Sequence, residues 1–261
     1  MATHPENDSV WSANDLNLLA LALQLFGSIT EEDLRNFGTF KRVAEPLLRH
    51  AVSDMALLAD LASRAEAAWH PNGFAVYSLD GPLAARGCVM RLHVWDPKIS
   101  HMETWHPRIH SHDRHLASVV LAGLKIDLQW QRANESMPAD QDTARRVDRL
   151  VADDNPNFGL LGAEIVRPAG ESVVLRSMPN ERRCGVGEFY FQPAGDFHEI
   201  PHPTGDAFAT LCLKSPNVDP RLQVLLGRDE VFDRRVARRP LDVEERRILL
   251  GSIFGSGVTS S

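Results

Sequence analysis

Apolar residues follow two different spacings along this chain. Over residues 12–70, leucine and alanine recur every three or four positions, as on one face of a helix, so the pattern predicts short amphipathic helices. Capping signals precede them: Ser12 with Asp15, Thr30 with Asp33, and Ser53 ahead of a third helix. Gly27 is expected to end the first helix, and Pro46 to begin one. We expect these helices to pack as a layer against a larger body.

From about Phe74 onward the apolar runs become shorter, and proline, glycine and β-branched residues become more frequent. This pattern predicts strands separated by turns, as in a barrel or a sandwich. The candidate strands are 74–79, 87–95, 116–121, 124–130, 163–167, 171–176, 187–192 and 207–213. The second of them alternates, with Met90, Leu92 and Val94 on one face and Arg91, His93 and Trp95 on the other. One of these two faces is therefore expected to turn into a barrel interior or core.

Three segments are expected: a helical region over 1–72 packed on the rest, a β-rich body over 73–218, and a C-terminal extension over 219–261. The extension should carry a helix near 243–253, capped by Asp242 with Glu245, and a disordered tail rich in glycine and serine. The polar segment 132–157 is predicted to be a partly helical excursion on the surface, with a lid over a pocket mouth as the alternative.

The composition is that of an ordinary globular chain, with 43% hydrophobic and 24% charged residues. Its 35 acidic and 28 basic residues give a net charge of -7 without a basic block, which argues against nucleic acid as a partner. No apolar run approaches the ~18 residues of a membrane span, and the polar N-terminus does not resemble a signal peptide. The scattered Cys88, Cys184 and Cys212 argue against a disulfide framework and indicate a reducing cytoplasm.

Histidines are concentrated near two predicted strand ends. The spacing of His110 and His112 puts both imidazoles on the same face, and two neighbouring imidazoles suit Zn, Cu, Fe or Ni. Further along, the strand after Gly187 leads through the turn at 193–195 to His198. In a barrel, this turn can aim the third histidine at the first two. We therefore expect one divalent metal ion on His110, His112 and His198.

Both stretches resemble the motifs of a known superfamily. Gly-x5-Pro-x-Gly-x2-His, from Gly187 to His198, resembles the complete second motif of the cupins. His110-x-His112 followed by Gly123 resembles the first motif, in the family's order and separation. The resemblance covers about residues 86–216 and implies a mainly β fold, the cupin double-stranded β-helix or jelly-roll barrel, with an N-terminal helical layer and a C-terminal helix added here. It is also compatible with a homodimer, because cupins are often dimers.

One position departs from the usual cupin pattern. Most cupins carry a glutamate where this chain has Leu116, so the predicted site contains three histidines and no protein carboxylate. In this respect it resembles the cysteine dioxygenase-like branch, the thiol dioxygenases, which bind Fe(II) with three histidines. The helical layer before the barrel and the stretch 209–216 resemble that branch too. The branch's Ser-x-His-x-Tyr triad is replaced here by Thr210, Cys212 and Lys214.

Several residues near the predicted metal are candidates for contacts with a substrate. Thiol dioxygenases place a carboxylate-binding arginine ahead of the first motif, at about the distance of Arg86 and Arg91 here. The predicted catalytic residues are Tyr190, as a proton donor, and His93. The predicted substrate-binding residues are Arg91, Arg86, Trp95 and Gln192. Each has a structural alternative: a salt-bridged arginine, a hydrogen-bonded core histidine or a packed aromatic ring. His115 and His202 are expected to face solvent or to support the ligands.

Three functions fit these features. The first is a mononuclear non-haem iron dioxygenase or oxygenase, resembling the cysteine dioxygenases, that binds a small thiol- or amine-containing molecule and O2 at Fe(II). The second is a metal-dependent isomerase, lyase or hydrolase that uses Zn, Mn or Ni without O2 and needs a general base, for which Glu199, His93 and Tyr190 are candidates. The third is a non-catalytic ligand-binding cupin. The fold alone does not choose among them.

Overall fold

The structure is a computed structural model and describes residues 21–22, 24–99, 108–132, 144–152, 163–201, 205–227 and 234–255. The predicted helix start at Ser12 and Asp15, the C-terminal tail and His202 lie outside the described residues. No helix among those that the structure describes is long and apolar enough to cross a bilayer.

Helices flank the β-rich part of the chain. They are α1 Glu31–Leu34, α2 Phe37–Val52, α3 Met55–Arg64 and α4 Val243–Phe254. The capping boxes predicted at Thr30 with Asp33 and at Asp242 with Glu245 are both confirmed by reciprocal hydrogen bonds. Short 3₁₀-helices occupy Gly81–Arg86 and Pro220–Leu222.

Two predicted helix signals are wrong. Ser53 does not begin α3, because its hydroxyl donates to the His50 carbonyl at the end of α2, while the Asp54 carboxylate accepts from the Leu57 N–H at 2.9 Å. Pro46 does not begin a helix either and lies inside α2. It sits on the exposed side of that helix, where the carbonyl that loses its N–H partner has access to water.

In the described ranges, thirteen strands form two antiparallel sheets. They are β1 Ala67–Trp69, β2 Ala75–Ser78, β3 Val89–Trp95, β4 Ile109–His110, β5 Leu116–Ala122, β6 Lys125–Arg132, β7 Ala144–Ala152, β8 Ala163–Cys184, β9 Phe189–Gln192, β10 Phe197–Glu199, β11 Phe208–Lys214, β12 Leu225–Gly227 and β13 Arg234–Ala237. The six-stranded sheet has the order β1-β2-β3-β11-β5-β9. The seven-stranded sheet has the order β13-β8-β6-β10-β4-β12-β7, and β7 also pairs with β8, so this sheet curls back on itself. The predicted fold class, a mainly β jelly-roll barrel with a helical layer and a C-terminal helix, is confirmed.

The segment 132–157 was expected to be partly helical, and this prediction is wrong for its described part. Residues 144–152 form β7, which pairs with β8 on one side and β12 on the other. The two candidate strands 163–167 and 171–176 are likewise parts of the single long strand β8. An arginine-rich polar sequence is compatible with a solvent-exposed helix and with a β-strand. Here the pairing with β8 and β12 selects the strand.

The helical layer covers the outer face of the six-stranded sheet. Its α2 turns the buried Phe40, Val43 and Leu47 toward β5. Along β3, Met90, Leu92 and Val94 join this core, as the predicted alternation requires. The other face of β3 therefore points between the two sheets. The expected division at 72 and 218 stays a prediction, although β1, β12 and β13, which lie outside those bounds, are hydrogen-bonded into the sheets.

Candidate metal centre

The three predicted ligands come together on the seven-stranded sheet. Strands β4 and β10 are antiparallel neighbours whose register sets His198 opposite His110, and His112 follows two residues later. The candidate ligand nitrogens of the three side chains lie within 4.8 Å of one another. Their ring centroids are 4.5 to 5.1 Å apart. The strand register thus gathers, from positions 88 residues apart, the donor set that the sequence predicts.

Hydrogen bonds fix the orientation of two of these rings. The Nδ1 of His198 lies 2.8 Å from the Oδ1 of Asp127, and the Nδ1 of His110 lies 2.9 Å from the carbonyl oxygen of Arg108. Both acceptors place the ring proton on Nδ1, so Nε2 is the nitrogen that can accept a proton or bind a metal. The Nε2 atoms of His198 and His112 face each other at 3.0 Å. Two lone pairs so close are stable only with a shared proton or a cation between them.

This arrangement fits a divalent metal ion. Burial, and then the neighbouring His110 and His198, lower the pKa of His112 well below its usual range, so this imidazole stays neutral, as a ligand must. Nitrogens bound to one ion at about 2.0–2.1 Å lie roughly 3 Å apart, which is the observed His112–His198 separation. Leu116 lines the same cavity without offering a donor. Three neutral imidazoles would therefore leave the ion its full charge.

Asp127 is the residue behind the site that the sequence analysis missed. It is fully buried on β6, where Lys125 Nζ lies 3.3 Å from its Oδ1 and Gln129 donates to its Oδ2 at 2.6 Å. Arg182, from β8, also forms an ion pair with it. Burial opposes ionisation, but the hydrogen bond from His198 and the cations Lys125 and Arg182 outweigh it and hold the pKa of Asp127 well below its usual range. Burial lowers the pKa of Lys125 to about 8 against the attraction of Asp127.

A cavity of about 160 Å³ lies between the two sheets, beside the histidines. Four of the other predicted site residues line it: His93, Tyr190, Arg91 and Trp95. Burial and the charges of Lys214, Arg91 and Arg238 keep the pKa of His93 well below its usual range. Burial raises the pKa of Tyr190 far above its usual range. Inside the cavity, His93 is therefore a neutral imidazole and Tyr190 a protonated phenol.

Two predicted substrate-binding residues are placed elsewhere. Arg86 ends a 3₁₀-helix and donates to the carbonyls of Gly27 and Ile29, so it ties the helical layer to the barrel. Gln192 is buried behind the metal centre, where its amide donates to the Asp196 carbonyl at 3.1 Å and its Oε1 accepts from Arg182. Neither is among the described residues that line the cavity. A strand face shared with Tyr190 did not suffice to place Gln192 there, because its side chain is held by Arg182 and the Asp196 carbonyl.

His115 was expected either to face solvent or to support the ligands, and the structure excludes the first of these alternatives. It is 7% exposed, and its Nε2 lies 2.7 Å from the Arg35 carbonyl while its Nδ1 accepts from the Ala194 N–H at 2.9 Å. It therefore joins the helical layer to the turn that leads to His198. Burial lowers the pKa of His115, against the hydrogen bond to Arg35 and the charge of Asp196.

Comparisons with known proteins add little to this geometry. No protein-family model matches the chain, and no curated protein matches it. The solved hydroxypropylphosphonic acid epoxidase from S. wedmorenis is 13% identical, with a TM-score of 0.30 over 57% of this chain and 55% of its own. Procruciferin, an 11S globulin from Brassica napus, is 7% identical, with a TM-score of 0.31 over 68% of this chain and 34% of its own.

A cupin-like protein from Thermotoga maritima is 12% identical, with a TM-score of 0.25 over 67% of this chain and 87% of its own. The chain spans about half the length of the first of these structures. At such low identity and superposition, the likenesses decide nothing about activity, and the assignment of function depends on the site itself.

Proposed function

We propose that this protein is a mononuclear non-haem iron oxygenase of the dioxygenase type, acting on a small molecule that carries a thiol or an amine. The observation that carries the proposal is a group of three imidazoles beside a cavity in which no carboxylate lines the wall among the described residues. His110, His112 and His198 would hold Fe(II), and Zn, Mn or Ni are alternatives that the same donors accept. When bound, the iron supplies the O2 chemistry that protein side chains lack.

The chain's own groups prepare the site for that cofactor. Asp127 holds the Nδ1 proton of His198, so this ring keeps one orientation and one tautomer. Tyr190 keeps its proton throughout the working pH range, so it serves a ligand as a hydrogen-bond donor rather than as an acid. His93 offers a neutral ring nitrogen to a ligand in the same cavity. Trp95 and its aromatic neighbours keep one end of the cavity apolar.

A metal-dependent isomerase, lyase or hydrolase without O2 chemistry is the second candidate. The observation in its favour is His93, a neutral imidazole lining the cavity and therefore able to accept a proton. Of the other predicted bases, Tyr190 holds its proton too firmly, and Glu199 is not among the described residues that line the cavity. Turnover without oxygen would favour this candidate over the first, and failure to bind any metal would favour a non-catalytic ligand-binding cupin.

Elemental analysis of the protein purified without added metal tests the proposal. We expect close to one iron per chain, lost in His198→Ala and retained in His50→Ala, a matched change of an exposed helical histidine. Iron-loaded protein is then screened for O2 consumption with small thiols and amino acids. Zinc, manganese or nickel in place of iron, with turnover in the absence of oxygen, would support the second candidate. An absence of metal even after reconstitution would refute both.

A further inference from the structure

The chemical nature of the residues that line the cavity changes along strand β3. Trp95, His93 and Arg91 follow one another on its cavity face, at about 6.8 Å per step. Strand β11 runs antiparallel beside it, with Phe208 opposite Trp95 and Cys212 opposite Arg91. One wall of the cavity therefore passes from aromatic to cationic over roughly 14 Å.

Stacked rings form the apolar end. The ring centroid of Trp95 lies 4.2 Å from that of Phe208 and 4.4 Å from that of Phe74, with interplanar angles of 11° and 29°. His70 stacks on Phe74 in turn at 4.3 Å. Because these rings cover one another's faces, they form a rigid wall, and Phe74 and Trp95 offer the cavity their apolar edges.

Cationic side chains form the other end. Lys214 and Arg91 line the cavity there, and no acidic residue lines the cavity among the described residues. Asp80 forms an ion pair with Arg91, so an acidic group outside the cavity offsets part of this charge. Burial lowers the pKa of Lys214, and Asp113 acts against that shift. Lys214 lines the same cavity as the three histidines. A divalent ion on neutral imidazoles would add further positive charge at the same end.

We propose that the cavity binds a small organic acid whose acidic group is held at Lys214, beside the three histidines, and whose planar apolar part lies toward Trp95. A positive, partly buried wall without carboxylates of its own is stabilised by an anionic ligand. The volume of about 160 Å³ equals roughly five waters, which suits a molecule of one ring and one acidic group. The inference rests on the proposed function for the metal end of the site, while the residues that it assigns belong to the opposite sheet.

Isothermal titration calorimetry of the full chain, as purified and after EDTA treatment, tests this assignment. The probes are benzoate, its neutral isostere benzamide, and acetate, which has the charge without the ring. We expect benzoate to bind at least about tenfold more tightly than either of the others. Lys214→Met should weaken benzoate binding at least about tenfold without changing the binding of benzamide. Lys98→Met, which removes an exposed charge, should have no effect.

Each outcome decides the inference. Equal affinities for benzoate and benzamide, or unchanged benzoate binding in Lys214→Met, would overturn it. Circular dichroism and the melting temperature report whether that variant folds, and Lys214→Gln replaces it if it does not. Metal content is measured on the same samples. A Lys214-dependent preference for benzoate in a protein that binds no metal would leave this inference standing and refute the oxygenase. Metal-loaded protein without a preference for benzoate would overturn this inference and leave the proposed oxygenase standing.

Discussion

The Nδ1 of His198 lies 2.8 Å from the Oδ1 of Asp127, and neither side chain is more than 3% exposed. This contact joins the metal-facing wall to a buried group of charges on β6 and β8, because Asp127 also pairs with Lys125 and Arg182. A carboxylate behind a ligand histidine both orients the ring and increases its basicity. The position of His198 is therefore set by residues that do not touch the cavity.

Replacing this carboxylate should weaken the metal site. Asp127→Asn keeps an acceptor oxygen but loses the charge, so we expect metal affinity to fall roughly 10- to 100-fold. The variant should also be less stable by about 3–5 kcal/mol, since Lys125 is left buried without its counter-charge. Competition with a chelator measures the affinity, and urea unfolding measures the stability.

A double variant separates the two effects of that change. Asp127→Asn with Lys125→Met removes both buried charges, so it should recover part of the lost stability but not the metal affinity. Asp206→Asn, at an exposed carboxylate, serves as the control. If metal affinity returned together with stability, Asp127 would act through folding alone and not by orienting His198.

The metal ligands were predictable from the sequence, while the residues supporting them were not. His110, His112 and His198 were recognised because they fall at fixed places in two short motifs. Asp127 was missed because β6 reverses the usual pattern, burying Lys125 and Asp127 while Ile126 and Leu128 are only partly buried. A Lys-x-Asp-x-Gln alternation within a predicted barrel strand was the available signal for a polar face that turns inward.

The fold shows the same division between local and long-range information. Capping boxes such as Thr30 with Asp33 depend on residues three apart, and the sequence analysis found them. Three of the missed strands, β4, β10 and β12, are two or three residues long and exist only through their partners. No local pattern distinguishes such strands from loops, because their hydrogen bonds are made with distant segments.

His115 should make stability depend on pH. Its folded-state pKa is lowered, so below about pH 6.5 the unfolded chain binds a proton that the folded chain resists. Stability is then fully present above that pH and is lost progressively as the pH falls toward the folded-state pKa. Protonation would also turn the Nδ1 of His115 from an acceptor into a donor, which would then face the Ala194 N–H, itself a donor.

Urea unfolding of wild type and His115→Gln in EDTA, at pH values from 5 to 8, measures this contribution. We expect the variant to lose less stability than wild type between pH 6.5 and 5, since the other histidines contribute equally to both. His50→Gln, at an exposed position, should follow wild type. Parallel curves for wild type and His115→Gln would show that His115 titrates normally in the folded protein.

Gly123 and Gly187 both require a left-handed backbone, but they differ in the space around them. Their φ angles are +70° and +81°. A Cβ at Gly123 would lie 2.4 Å from the Ala207 carbonyl oxygen, whereas a Cβ at Gly187 would meet no atom within 4 Å. Gly187→Ala should therefore lower the free energy of unfolding by only about 1–2 kcal/mol, which is the cost of a left-handed backbone for a residue with a Cβ. Gly123→Ala should cost about 1–3 kcal/mol more, because the β5–β11 contact must open. Equal losses in urea unfolding would mean that this contact relaxes without penalty.

Arg246 should hold the C-terminal helix against the helical layer. Its Nη2 donates to the Ser63 carbonyl at 2.9 Å and to the Ala65 carbonyl, at the end of α3. A cation here satisfies carbonyls that lack helical partners. Arg246→Met keeps much of the apolar stem and should destabilise the protein by about 1–3 kcal/mol. Arg247→Met removes an exposed partner of Glu244 on the same helix and should cost less than about 0.5 kcal/mol. Thermal unfolding of the two variants makes the comparison, and equal shifts would show that Arg246 contributes no more than a surface ion pair.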